Sequence, residues 1–150
     1  MRVLVDADAC PVKDEIYKVA FRHRAQVTLV ANGGLRVPDT PLVQMVVVGD
    51  AFDAADDWIA EHADAASVVV TADILLADRC IKAGAAVLGP NGRPFTANSI
   101  GAAVATRAIM ADLRAGGDAL GGPDPFGKRD RSRFLSALDE ALVRLKRKHN

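Results

Sequence analysis

Ser67 to Gly84 read SVVVTADILLADRCIKAG, and this stretch sets the architecture. SVVVT is an unbroken apolar, β-branched run, as expected for a strand buried on both faces of a parallel sheet. Ala72-Asp73 follows without a linker, and ILLADRCIKAG then continues as a helix. An apolar strand that ends at a carboxylate and feeds a helix is one βα unit. The same grammar recurs on both sides of it.

Towards the N-terminus, Arg2 to Asp6 (RVLVD) is a first strand, again ended by a carboxylate. Pro11 opens a helix, PVKDEIYKVAFRHR, since proline is tolerated at the first helical position. Asp14 and Glu15 fall in its first turn and Arg22 to Arg24 in its last, as the helix dipole favours. Ile16, Val19 and Ala20 form its inward stripe. Ala25 to Ala31 is a second strand, ended by Asn32-Gly33-Gly34, and Leu42 to Val48 a third, ended by Gly49-Asp50. A helix begins near Asp53, with Trp58 and Ile59 facing inward. Towards the C-terminus, Ala85 to Leu88 is a short fifth strand, Gly89 to Gly92 a loop, and Asn98 the cap of a helix running to about Arg114. A Gly-rich segment (about 115–128) without apolar periodicity reads as a mobile loop. The last helix (about 130–148) carries Phe134, Leu138, Leu142 and Leu145 at helical spacing.

Alternating strands and helices predict an α/β protein: a three-layer α/β/α sandwich around a mostly parallel sheet of about five strands, in one domain spanning 1–150. The link between strands 2 and 3 is short and holds Pro38 and Pro41, so strand 3 is expected to pair differently from the others.

The chain has 150 residues, 50% hydrophobic and 25% charged, a globular and not a disordered composition. Aromatics are few, so the core is aliphatic. No signal peptide or membrane span is read, and Cys10 and Cys80 are distant in sequence with no CxxC pair; a cytoplasmic protein with reduced thiols is expected. Net charge is zero, with 19 basic and 19 acidic residues. The segment from Lys128 onward nevertheless carries +5 (eight basic, three acidic), leaving −5 on the remainder. An acidic body with a basic arm suits a metal site beside an anion guide.

In open parallel sheets, ligands sit beyond the carboxyl ends of the strands. Asp6 and Asp8 after strand 1, Asp50 and Asp53 after strand 3, and Asp73 after strand 4 reach that edge, with Asp56 and Asp57 on the following helical turn. Clustered carboxylates repel, so they either hold their protons or recruit a cation. An oxygen-only donor set selects Mg²⁺ or Mn²⁺. Duller roles are open to most of them, Asp53 and Asp73 as helix caps and Asp57 as a partner of the helix dipole. Asp6, at the end of a core strand, is the hardest to explain as structural.

VDADACPVKDEI (5–16), GDAFDAADDWIAEHA (49–63), VVVTADILLADRCIKAG (68–84) and LGGPDPFGKRDRSRFLSALDEAL (120–142) closely resemble the YaiI/YqxD family of small bacterial proteins, over nearly the whole chain. The resemblance implies a fold like that of the PIN-like nucleases and an acidic pocket. By position it assigns metal ligands to Asp6, Asp56 (with Asp53 and Asp57 as neighbours) and Asp73, with Asp78 as a candidate fourth. Asp8 belongs to the family's own signature and has no PIN counterpart.

The chemistry that follows is phosphodiester hydrolysis with Mg²⁺ or Mn²⁺. Asp6 and Asp73 are expected ligands, and Asp56 and Asp8 ligands or water-positioning groups. Lys13, Arg36, Lys128, Arg129 and Arg131 are candidate phosphate contacts, and Thr71 a partner for a ligand carboxylate or simply a strand residue. RNA is favoured over DNA as the partner. Phe95 and Phe126 are the only loop aromatics available for stacking, which argues against base-specific reading. Cys10 lacks the arginine six residues on that a cysteine phosphatase needs, and His23, His62 and His149 have no ligand spacing, so surface positions are expected. Two alternatives stand beside the nuclease. DADAC resembles the start of the haloacid-dehalogenase-like phosphatases, but Gly49-Asp50 precedes Thr71 and Lys82, the reverse of their motif order. A non-catalytic RNA- or protein-binding module would keep the acidic pocket without the reaction.

Overall fold

The computed structural model describes residues 1–49, 51, 53–115 and 126–149. Six strands form one sheet: β1 (Arg2–Asp6), β2 (Gln26–Ala31), β3 (Val43–Val47), β4 (Ser67–Val70), β5 (Ala86–Leu88) and β6 (Pro94–Phe95). Five helices accompany them: α1 (Lys13–His23), α2 (Ala54–His62), α3 (Ile74–Lys82), α4 (Ala97–Ala115) and α5 (Lys128–His149). The strand order is β3-β2-β1-β4-β5-β6. All pairs are parallel except β5 with β6.

Alternation along each strand builds two cores. Val3 and Val5 of β1, Val27 and Leu29 of β2, and Val68 and Val70 of β4 face α1 and α5. Leu4, Val30, Val69 and Val87 face the other way, onto Ile59 of α2, Leu76 and Cys80 of α3 and Ile100 of α4. The result is the expected three-layer sandwich. α5 closes the first core with Phe134, Leu138 and Leu142, all fully buried.

One expectation is corrected. Strand 3 does not pair differently: β3 runs parallel to β2, from Val27 opposite Val43 to Ala31 opposite Val47. The Pro-containing link needs no helix to reach it, because β3 is the sheet's edge and the crossover is irregular. The sheet also has six strands, since Pro94–Phe95 adds an antiparallel edge to β5 too short to show any alternation. The hairpin between them is pressed onto α5. Gly92 has φ +83, and a Cβ there would lie 2.6 Å from the backbone of Arg133 and Phe134, so only glycine fits.

Helix ends differ in detail. Thr96, and not Asn98, starts α4: its hydroxyl accepts from Ser99 N–H (3.1 Å), while the Ser99 hydroxyl accepts from Thr96 N–H (3.1 Å). The Gly-rich segment read as a loop lies outside the described residues from 116 to 125. Among the described residues, no helix is long and apolar enough to cross a membrane.

Candidate acidic site at the sheet's carboxyl edge

The chain leaves β1 for β2 on one side and leaves β4 for β5 on the other. The loops after β1 and β4 therefore diverge and leave a crevice at the carboxyl edge, the switch point where open α/β sheets bind ligands. Val5 pairs with Val70, so Asp6 and Thr71 each stand one residue beyond the last pair. The Thr71 hydroxyl donates to Asp6 Oδ2 (3.0 Å) and accepts from Asp73 N–H (3.0 Å). Thr71 is 2% exposed, so this relay from the β4–α3 turn to the end of β1 is shielded from water. It holds a carboxylate in place, where the sequence left Thr71 undecided between a polar role and a plain strand residue.

Asp73 is the N-cap of α3. Its Oδ1 accepts from the N–H groups of Leu75 (2.9 Å) and Leu76 (3.2 Å). Asp56 lies half-buried in the first turn of α2, and burial together with Asp73, Asp6 and Asp53 pushes its carboxyl up to about 6, against the relieving charge of Arg79. Asp6 is also raised from its ordinary value, first by burial and then by Asp73 and Asp8, with the Thr71 bond pulling the other way. Asp6, Asp56 and Asp73, from three separate segments, thus share one electrostatic environment.

The neighbouring carboxylates are differently engaged. Asp8 accepts from Asn32 N–H with both oxygens (3.1 and 3.4 Å), tying the turn after β1 to the end of β2. Asp57 is paired with Arg79 at 2.8 Å on the exposed side of α2. Asp78 pairs with Lys82 one turn along α3, at 2.9 Å. Asp53 takes a left-handed backbone (φ +65) at the start of α2, and its side chain makes no cap bond. Asp50 lies outside the described residues.

The cations divide too. Lys13 donates to Cys10 O (3.2 Å), and Arg36, Lys128 and Arg129 are exposed. Arg131 donates to Pro11 O (2.8 Å) and to Glu15 Oε1 (3.0 Å), and its guanidinium lies 5.0 Å from the Phe126 ring centre. It works as a clamp between α5 and the β1–α1 loop. His23 is not at the surface as expected: α5 covers it, leaving it 9% exposed and 2.6 Å from Asp139. Both cysteines are free; burial raises the Cys10 thiol and pushes Cys80 up to about 11, which disfavours a thiolate at either position. Arg79, which reaches both Asp56 and Asp57, escaped sequence reasoning, because a basic residue in a last helical turn looks like ordinary dipole pairing.

Among the described residues, no three carboxylate, imidazole or thiol groups lie close enough to grip one ion by themselves. Mg²⁺ does not require that, since it usually keeps several waters and takes one or two carboxylates. An oxygen-only set in which Asp6 and Asp56 are raised first by burial and further by neighbouring carboxylates is of the kind such a cation takes.

The chain matches the model of a family described as "Uncharacterized BCR, YaiI/YqxD family" over residues 4–144. A UPF0178 protein of Sphingopyxis alaskensis is 72% identical over 146 residues, covering 97% of this chain and 95% of that one. UPF0178 proteins of Nitrobacter winogradskyi (59%; 98% and 94% covered) and Jannaschia sp. (62%; 96% and 94% covered) are similar along their length. No solved structure matches the chain. With most of its length matched by the family model and by these relatives, the chain belongs to the YaiI/YqxD family.

Proposed function

We propose that the protein hydrolyses phosphodiester bonds in nucleic acid with the aid of Mg²⁺ or Mn²⁺. One observation carries the reading: Asp6, Asp56 and Asp73 come from three separate segments to the switch point of the sheet, where burial first, and then the charges of Asp73, Asp6 and Asp53, raise the Asp56 carboxyl to about 6. A fold maintains such repulsion at a cost, and a bound dication would relieve it. In this reading Asp6 and Asp73 would hold the cation. Asp73 has Oδ2 free of the cap bonds that engage Oδ1 among the described residues, and Asp6 likewise has Oδ1. A bound dication would activate water and offset charge on the phosphate in transit. Asp56, ionised beside a bound dication, would orient a water and take its proton. Thr71 fixes the Asp6 carboxylate.

The test incubates labelled single-stranded and structured RNA and DNA with Mn²⁺, Mg²⁺ or chelator, beside Asp6→Asn. Metal-dependent cleavage that disappears in the variant is the expected result. Cleavage that survives in the variant, or none under any condition, defeats the proposal. One observation favours the non-catalytic binding module instead: Asp6, Asp8 and Asp73 each already accept hydrogen bonds from the chain. Metal-independent RNA binding without cleavage would be its signature.

A further inference from the structure

A cavity of about 570 Å³ opens between the two neighbours of Asp73, Ala72 and Ile74, and the β5–β6 hairpin. Its volume is that of a small-molecule site, roughly 300–1,000 Å³. Phe95 of β6 and Phe126, just before α5, both line it. These are the two loop aromatics that the sequence offered as candidates for stacking. Arg131, which does not line the cavity, sits over the Phe126 ring at 5.0 Å from its centre.

The cavity is also cationic. Arg93 lines it, and its guanidinium has no partner among the described residues. Arg133 lines it too, its one ion pair among the described residues a loose one, 3.8 Å to Asp130. Asp130 is the acid of the cavity, and its Oδ2 accepts from Gly127 N–H (3.0 Å). Asn91, whose Oδ1 accepts from Arg93 N–H, has its amide nitrogen left to donate among the described residues. Gly92, with no room for a side chain against α5, holds this hairpin wall in place.

Two aromatic rings, two arginines and an amide beside an acidic cluster match one chemistry. We propose that this cavity binds one unpaired nucleotide of a single-stranded nucleic acid, its base stacked on Phe95 and Phe126 and its phosphate held by Arg93 and Arg133. The inference rests on the phosphodiester reading and deepens it: the neighbouring phosphate of the same strand would lie towards Asp73. A paired base inside a duplex presents no ring face to such a cavity, so the site selects unpaired strands.

The test measures fluorescence anisotropy of a labelled single-stranded oligonucleotide in chelator, where binding is read apart from cleavage. Phe126→Leu, Arg93→Gln and the control Lys18→Gln are compared, with folding checked by circular dichroism. Loss of a base-stacking ring weakens binding roughly tenfold or more. Phe126→Leu and Arg93→Gln are expected to do so, while Lys18→Gln binds like the wild type. Competition by a free nucleoside monophosphate supports the site and shows that one nucleotide suffices; the ratio of RNA to DNA affinity identifies the preferred strand. No binding by the wild type, equal affinity for a blunt duplex, or unchanged binding by both variants overturns the proposal. The two readings fail separately. Asp6-dependent cleavage indifferent to Phe126→Leu and Arg93→Gln removes the nucleotide site alone. Binding lost in those variants without any cleavage removes the hydrolytic reading alone.

Discussion

Asp56 is the group whose charge the fold controls most directly. Its carboxyl sits at about 6 when folded and near the ordinary 3.8 when unfolded. Well below pH 3.8 it is neutral in both states and repels nothing. As pH rises towards and through 6 the unfolded chain ionises first, so the folded state loses stability relative to it. In chelator, the melting temperature should therefore decline between about pH 4 and pH 6 more steeply in the wild type than in Asp56→Asn, and the variant should be the more stable at pH 7. Matching melting profiles for the two proteins would refute the shared environment. Thr71 gives a second test. Thr71→Val keeps the branched shape but leaves Asp6 Oδ2 and Asp73 N–H each without a buried partner. A loss of about 1–3 kcal/mol in urea titration is expected. The Asp6 carboxyl should rise further, because the Thr71 bond is what lowers it.

The start of α3 separates structure from charge. Asp73 caps two N–H groups, so Asp73→Ala should cost about 1 kcal/mol of stability. Asparagine caps about as well as aspartate, and Asp73→Asn should stay within a few tenths of the wild type while abolishing any metal-dependent activity. Equal destabilisation by both substitutions, read from denaturant midpoints, would show that the charge of Asp73 and not its cap bonds supports the fold. The ion pair of Asp57 with Arg79 contributes little by comparison, since both groups are about half exposed. Its effect is on position: it turns Asp57 out of the cluster and leaves Asp56 as the member from α2.

The molecule as a whole depends on α5. Its Phe134 is fully buried against the face of the sheet that also carries α1, and Arg131 and Asp139 tie α5 to both ends of α1. Phe134→Ala should therefore cost about 3–5 kcal/mol, measured by guanidinium unfolding. A loss below 1 kcal/mol would mean that α5 is an appendage and not part of the core. The same packing shapes the cavity beside Asp73, because α5 supplies Arg133 to its lining while Arg131 sits over Phe126. The basic arm inferred from charge thus splits: Lys128 and Arg129 are exposed, Arg131 is a clamp, and Arg133 lines the cavity.

Apolar runs such as RVLVD and SVVVT, each followed at once by a helical pattern, specified by themselves the β1 and β4 units and the carboxylates at their ends. Those signals are local: side-chain period, β-branching and turn chemistry act over a few residues, so they are written along the chain. The sequence did not show that β3 runs parallel to β2, that Pro94–Phe95 adds a sixth strand, or that His23 is covered by α5. Nor did it choose Asp56 over Asp53 and Asp57, or bring Phe95 and Phe126 to one cavity. Those are decided by contacts between residues far apart in the chain. Burial and electric field at a carboxyl group depend on what the whole fold packs against it, and no local pattern carries that information.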